Sequence, residues 1–152
     1  MCKINCIILL SIILMCGCKG DDLKESYNTF VSSVWSDSEL EQIDFIIIIP
    51  HQGCSGCITY AEDFYCRYKS NKKIKFIFTH IVSMKNLKKR LKLDMDNAFI
   101  DKNNQLLVIG EADKKIYPCI LQLGNGKITD IYYQSPYEDG FSIVEKYFNS
   151  VL

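Results

Sequence analysis

Neither sign of charge is in excess: eighteen basic and eighteen acidic residues leave this 152-residue chain with a formal net charge of zero. No overall positive field exists to collect phosphates, which argues against nucleic acid as a partner. Internal repeats, low-complexity tracts and Pro/Gly/Ser-rich linkers are all missing. Whatever follows the N-terminal segment therefore reads as one ordinary domain, long enough to bury a core. Proline is scarce, and each of the three stands at a predicted boundary: Pro50 where an apolar run stops, Pro118 before a hairpin, Pro136 ahead of the last helix. The mostly apolar stretch at 4–15 is too short for a membrane span.

That stretch follows Lys3 and ends at Met15-Cys16-Gly17-Cys18. A short positive region, an apolar segment and a small residue before a cysteine resemble a bacterial lipobox. The expected division is a signal peptide over 1–17, a lipidated Cys18 with a polar tether over 18–22, and a domain over 23–152. The resemblance implies a bacterial envelope lipoprotein, anchored at the periplasmic face or the outer surface. A cleaved secretory peptide or an uncleaved anchor is the alternative.

Eight cysteines then sort themselves. Cys2, Cys6 and Cys16 leave with the signal, Cys18 takes the lipid, and Cys54, Cys57, Cys66 and Cys119 remain. In an oxidising compartment a single pair at Cys-x-x-Cys spacing reads as a redox couple before it reads as half of a zinc site. Cys54-Ser-Gly-Cys57 also sits where a thiol becomes reactive. The apolar run Phe45-Ile-Ile-Ile-Ile49 stops at Pro50, and a helical stretch follows over 58–68. The first cysteine then falls at the helix N-terminus, where unpaired N–H groups and the positive end of the dipole favour a thiolate. Three residues on, Cys57 is one turn away, near enough to close a small disulfide ring.

Leu23, Tyr27, Phe30, Val31 and Val34 recur at helical spacing. The 45–49 run has no polar face, as expected of a central strand covered on both sides. Ala61, Phe64, Tyr65 and Tyr68 share the helix face of Cys57. A second strand is predicted over 74–79, and a short basic helix on Met84, Leu87 and Leu91. Residues 97–109 are ambiguous, with 98–100 extended and 106–109 either strand or helix. Cys119 to Leu123, Gly124-Asn125-Gly126 and Lys127 to Tyr133 read as an antiparallel hairpin. Phe141, Val144, Phe148 and Val151 stripe a closing helix.

Two strands alternating with helices, then a hairpin and a final helix, make an α/β fold with a mixed central sheet flanked by helices on both faces. With Cys54-Ser-Gly-Cys57 after its strand, and Tyr117-Pro118 opening a hairpin that turns at Gly124-Asn125-Gly126-Lys127, the chain resembles the thioredoxin-fold superfamily over about residues 43–151. The segment between Thr79 and Tyr117 is similar in placement to the insertion of TlpA-like, membrane-tethered thiol–disulfide oxidoreductases. The resemblance implies Cys54 as attacking thiolate and Cys57 as resolving thiol, with no bound cofactor and no metal. It implies a cis peptide bond at Pro118, and a substrate groove at Tyr117 and Pro118 in which Tyr117 offers its backbone N–H and C=O to a substrate strand. The implied partner is a protein thiol or disulfide, reduced by a monomer tethered to the membrane through its lipid. Three positions depart from the family: Gly53 for Trp, Gly56 for Pro, and Ile48 for the buried carboxylate six residues before the first cysteine.

Other readings stay open beside this one. Cys54–Cys57 as an inert staple is disfavoured, because so small a loop removes little chain entropy. A non-catalytic lipoprotein binding a peptide or protein with the same fold is the main rival. His51 and His80 are candidates for stabilising a thiolate or holding metal, and are otherwise a solvated loop histidine and a strand-end histidine. Cys66 and Cys119 are expected as buried free thiols, a disulfide between them being the alternative, with Cys119 pointing away from Tyr117. Lys85, Lys88, Lys89, Arg90 and Lys92 read as a solvated helix face, or else a contact for anionic lipid or a partner.

Overall fold

The structure, a computed structural model, describes residues 19–151. The expected signal segment 1–17 and Cys18 lie outside the described residues. The elements in chain order are α1 (Lys19–Val34), α2 (Asp37–Leu40), β1 (Phe45–Pro50), α3 (Ser55–Tyr68), β2 (Ile74–Thr79), α4 (Met84–Leu91), β3 (Ala98–Ile100), α5 (Leu106–Ile109), β4 (Cys119–Gly124), β5 (Lys127–Tyr133) and α6 (Phe141–Val151). Residues 19–22, within the expected tether, form the first turn of α1.

Five strands form one sheet in the order β3-β2-β1-β4-β5. β1, β2 and β3 run parallel, while β4 is antiparallel to both β1 and β5. All six residues of β1 are buried, as a continuous apolar run in a central strand must be. Alternation along the strand then builds two cores. Phe45, Ile47 and Ile49 pack with α3, α4 and α6, whereas Ile46 and Ile48 pack with α1, α2 and α5. This is the mixed α/β, thioredoxin-like architecture expected, with helices on both faces.

The hairpin turns at Asn125 and Gly126, both at positive φ (52° and 75°), as a two-residue turn between twisted strands requires. The ambiguous 97–109 segment splits. Ala98–Ile100 adds a short edge strand to β2, and Leu106–Ile109 is a single helical turn. That turn forms because the buried Asp101 carboxylate accepts the backbone N–H groups of Gln105 and Leu106, each at 3.0 Å, and the Thr79 hydroxyl at 3.0 Å. Among the described residues, no helix is long and apolar enough to cross a membrane.

Candidate functional site

β1 delivers the chain through His51, Gln52 and Gly53 to Cys54, the N-cap of α3. The Cys57 N–H donates to Cys54 Sγ at 3.4 Å, so the first sulfur takes one of the orphan donors of the helix start. Cys54 and Cys57 form a disulfide, with Cα atoms 5.3 Å apart. Cys54 is half-buried, and Cys57 is buried at 9% exposure. Of the two sulfur-bearing residues, Cys54 is therefore the more open to an approaching group.

The segment before β4 holds this start in place. The Cys54 N–H donates to the Ile116 carbonyl at 3.1 Å. Gly53 has φ +140°, and a Cβ there would collide with the Ile116 backbone. Glycine is thus demanded twice, by conformation and by close approach, where the family has Trp. Pro118 is buried, and its carbonyl accepts from Gln134 N–H at 2.9 Å. Tyr117 and Pro118 accordingly stand next to the residue that contacts Cys54. Sequence reasoning missed Ile116, whose only signal is its place two residues ahead of Pro118.

Two expectations about this segment are corrected. The Tyr117–Pro118 peptide bond is trans, as are all those in the described residues. The Tyr117 N–H is not open to a substrate strand, because it donates to the Lys114 carbonyl at 3.0 Å in the turn leading into β4. A local turn satisfies that donor at less ordering cost than a distant strand would.

On the α3 side, a charge cluster joins Glu62 of α3, Arg90 of α4 and His51, three residues before Cys54. Glu62 is 5% exposed, and its Oε1 accepts from Arg90 Nη2 at 2.5 Å. His51 Nε2 lies 3.3 Å from the same oxygen, without hydrogen-bond geometry. Burial pushes the Glu62 carboxyl up, and the Arg90 guanidinium partly offsets it. Burial, then the Arg90 charge, hold His51 below the usual histidine range. His51 is a mostly buried ring packed near Phe78, which corrects the solvated loop reading. Glu62 was legible only as a carboxylate on an otherwise apolar-facing helix turn.

The opposite face of β1 carries a cavity of about 30 Å³, lined in part by Tyr27, Ile48, His80, Tyr117, Cys119 and Tyr133. Ile48, where the family has its carboxylate, contributes only carbon to this space. The expectation that Cys119 points away from Tyr117 is wrong: both pack against the α1-side core, because Tyr117 ends a turn ahead of β4 and strand alternation does not run through it. Burial pushes the Cys119 thiol up to about 12, with the hydroxyls of Tyr27 and Tyr133 beside it. Tyr133 Oη and His80 Nδ1 are buried without a hydrogen-bond partner. Burial lowers His80, and Asp101 partly offsets it. Cys66 is exposed rather than buried, since α3 turns it to solvent; Cys66 and Cys119 are both free. Among the described residues no three His, Cys, Asp or Glu side chains gather as metal ligands would.

No family model and no curated protein matches the chain. Among solved structures, the solution structure of a candidate thioredoxin from Neisseria meningitidis is similar at 16% identity and a TM-score of 0.49. The match covers 74% of this chain and 77% of that one. The thioredoxin-like assignment rests on strand order, and on a cysteine pair at disulfide distance opening the helix after the central strand.

Proposed function

We propose that this protein is a lipid-anchored thiol–disulfide oxidoreductase of a bacterial envelope, reducing a specific protein partner through Cys54 and Cys57. The observation that carries the reading is the disulfide at the start of α3, with Cys54 as N-cap and more exposed than Cys57. In the reduced protein the Cys54 thiolate attacks one sulfur of the substrate disulfide, and the other leaves as a thiolate that takes a proton. The Cys57 thiolate then attacks Cys54 Sγ, expelling the second substrate sulfur and closing the Cys54–Cys57 disulfide. Two electrons pass from the protein to the substrate, and an external dithiol donor restores the reduced pair. The N–H groups at the helix start and the dipole favour the attacking thiolate.

A second reading, a binding module without turnover, is favoured by two observations. Ile48, six residues before Cys54, offers no side-chain proton acceptor, and the Tyr117 N–H is already engaged. The redox equilibrium of the full chain in detergent separates the two readings, with glutathione buffers as reference and alkylation and mass as readout. A couple poised between about −270 and −120 mV is expected of a working oxidoreductase. A pair that stays oxidised far below that range, or never oxidises, leaves the binding module.

A further inference from the structure

α4 (Met84–Leu91) carries Lys85, Lys88, Lys89 and Arg90, with Lys92 as its C-cap, and has no acidic residue. In a chain whose formal charge sums to zero, this is a strong local concentration of one sign. The helix does not merely face solvent. Between it and the end of β1 lies an open groove of about 600 Å³, lined by His51, Val82, Ser83, Asn86, Lys89 and Arg90. Val82 stands at its side with 74% of its surface exposed, an apolar residue that serves no core. Arg90 is held in position by the Glu62 carboxylate, which takes one of its nitrogens at 2.5 Å and leaves other N–H groups unclaimed. Glu62 and the exposed Asp63 are the opposing charges on the neighbouring helix, and Glu62 is buried.

We infer that this groove, one wall of which is His51, three residues before Cys54, recognises an acidic extended segment flanking the reactive cysteines of the protein partner, with an apolar side chain of that segment against Val82. The inference rests on the oxidoreductase reading for what the segment is attached to, but not for binding itself. Lys89 and Arg90 supply the opposite charge within the groove, while Lys85 and Lys88 add to the field that steers it in. A concave cleft with an apolar wall fits a peptide better than it fits a flat lipid surface. Such binding weakens with salt, because the cations are exposed.

The test uses the full chain in detergent and two synthetic peptides, each with one internal disulfide, flanked either by Asp, Glu and Leu or by Lys and Leu. The expected result is reduction of the acidic peptide about tenfold faster at low salt. Combined Val82→Ser and Lys89→Glu removes that preference, leaving reduction of uncharged hydroxyethyl disulfide unchanged; both positions are exposed, so folding is spared. Fluorescence anisotropy of the reduced acidic peptide on Cys54→Ser protein reads binding without turnover. Binding that the groove substitutions abolish, with neither disulfide reduced, keeps the groove and removes the oxidoreductase. Equal reduction of both peptides overturns the groove and leaves the oxidoreductase. Groove-dependent binding to phosphatidylglycerol vesicles, with no discrimination between peptides, assigns the face to membrane and also overturns the inference.

Discussion

Cys54 follows β1 and Cys119 opens the neighbouring strand β4, yet their surroundings make them opposite in character. Cys54 caps a helix, takes an N–H from Cys57 and is half open to solvent. Cys119 faces the other core at 3% exposure among Tyr27 and Tyr133, and its thiol is pushed up to about 12. The residue type is the same; a helix start stabilises the sulfur anion and an apolar cavity penalises it. Reactivity is thus assigned by whether a cysteine meets a helix start or a closed core.

Substitution at the two positions is the most drastic way to break that comparison. Cys54→Ser is expected to abolish disulfide exchange, whereas Cys119→Ala is expected to leave its rate unchanged at some cost in stability, both read by reduction of a model peptide disulfide. Equal losses from both variants would remove the distinction. Gly53→Ala strikes the geometry under Cys54. The positive φ and the collision with Ile116 are expected to cost about 2 kcal/mol or more in urea unfolding, and a wild-type midpoint would refute the close approach.

Arg90→Ala removes the partner of buried Glu62 and is expected to destabilise by about 1–3 kcal/mol, with the loss shrinking under acid as Glu62 takes a proton. An unchanged midpoint would show that the carboxylate needs no partner. Reagent access sharpens the contrast more gently: iodoacetamide is expected to label exposed Cys66 quickly and Cys119 only on unfolding. Equal labelling in the native protein, read by mass, would count against the cavity.

The smallest effect is on pH. His51 and His80 both have lowered values in the fold, so the unfolded chain binds protons first as the medium is acidified. Stability is full above the unfolded histidine value of about 6.5 and declines as pH falls from there towards the folded values. Glu62 has the opposite sign: its raised value means that further acidification relieves a cost. Melting temperature is expected to drop between about pH 7.5 and about pH 5.5, less so in His51→Asn. A flat profile would mean that both rings titrate alike in folded and unfolded chains.

Much of the frame was legible because it is written in local pattern. The unbroken apolar run of β1, the Asn125-Gly126 turn and the striping of α1, α4 and α6 each express a period or a turn preference that neighbours alone decide. The site was legible as a cysteine pair after a strand. Its supports were not. Ile116 on the Cys54 N–H, Arg90 and His51 around Glu62, and Lys114 on the Tyr117 N–H are contacts between chain segments that no periodicity announces, apart from the last, which is a turn hidden in a segment without pattern. The side of Cys119 relative to Tyr117 was misjudged because a turn, not a strand, precedes β4.

By itself the sequence determined most of the elements, though not α2 or the outcome at 97–109, together with the mixed sheet they build and the position of Cys54 and Cys57 at a helix start, because these follow from hydrophobic period, turn chemistry and spacing along one stretch of chain. Only the tertiary structure decided which thiol is open and which is sealed, which donor at Tyr117 is already used, and that α4 borders a groove beside His51. Burial and partner choice are properties of surfaces brought together from distant segments, and the free energy of a sulfur, a carboxylate or an amide depends on those surfaces.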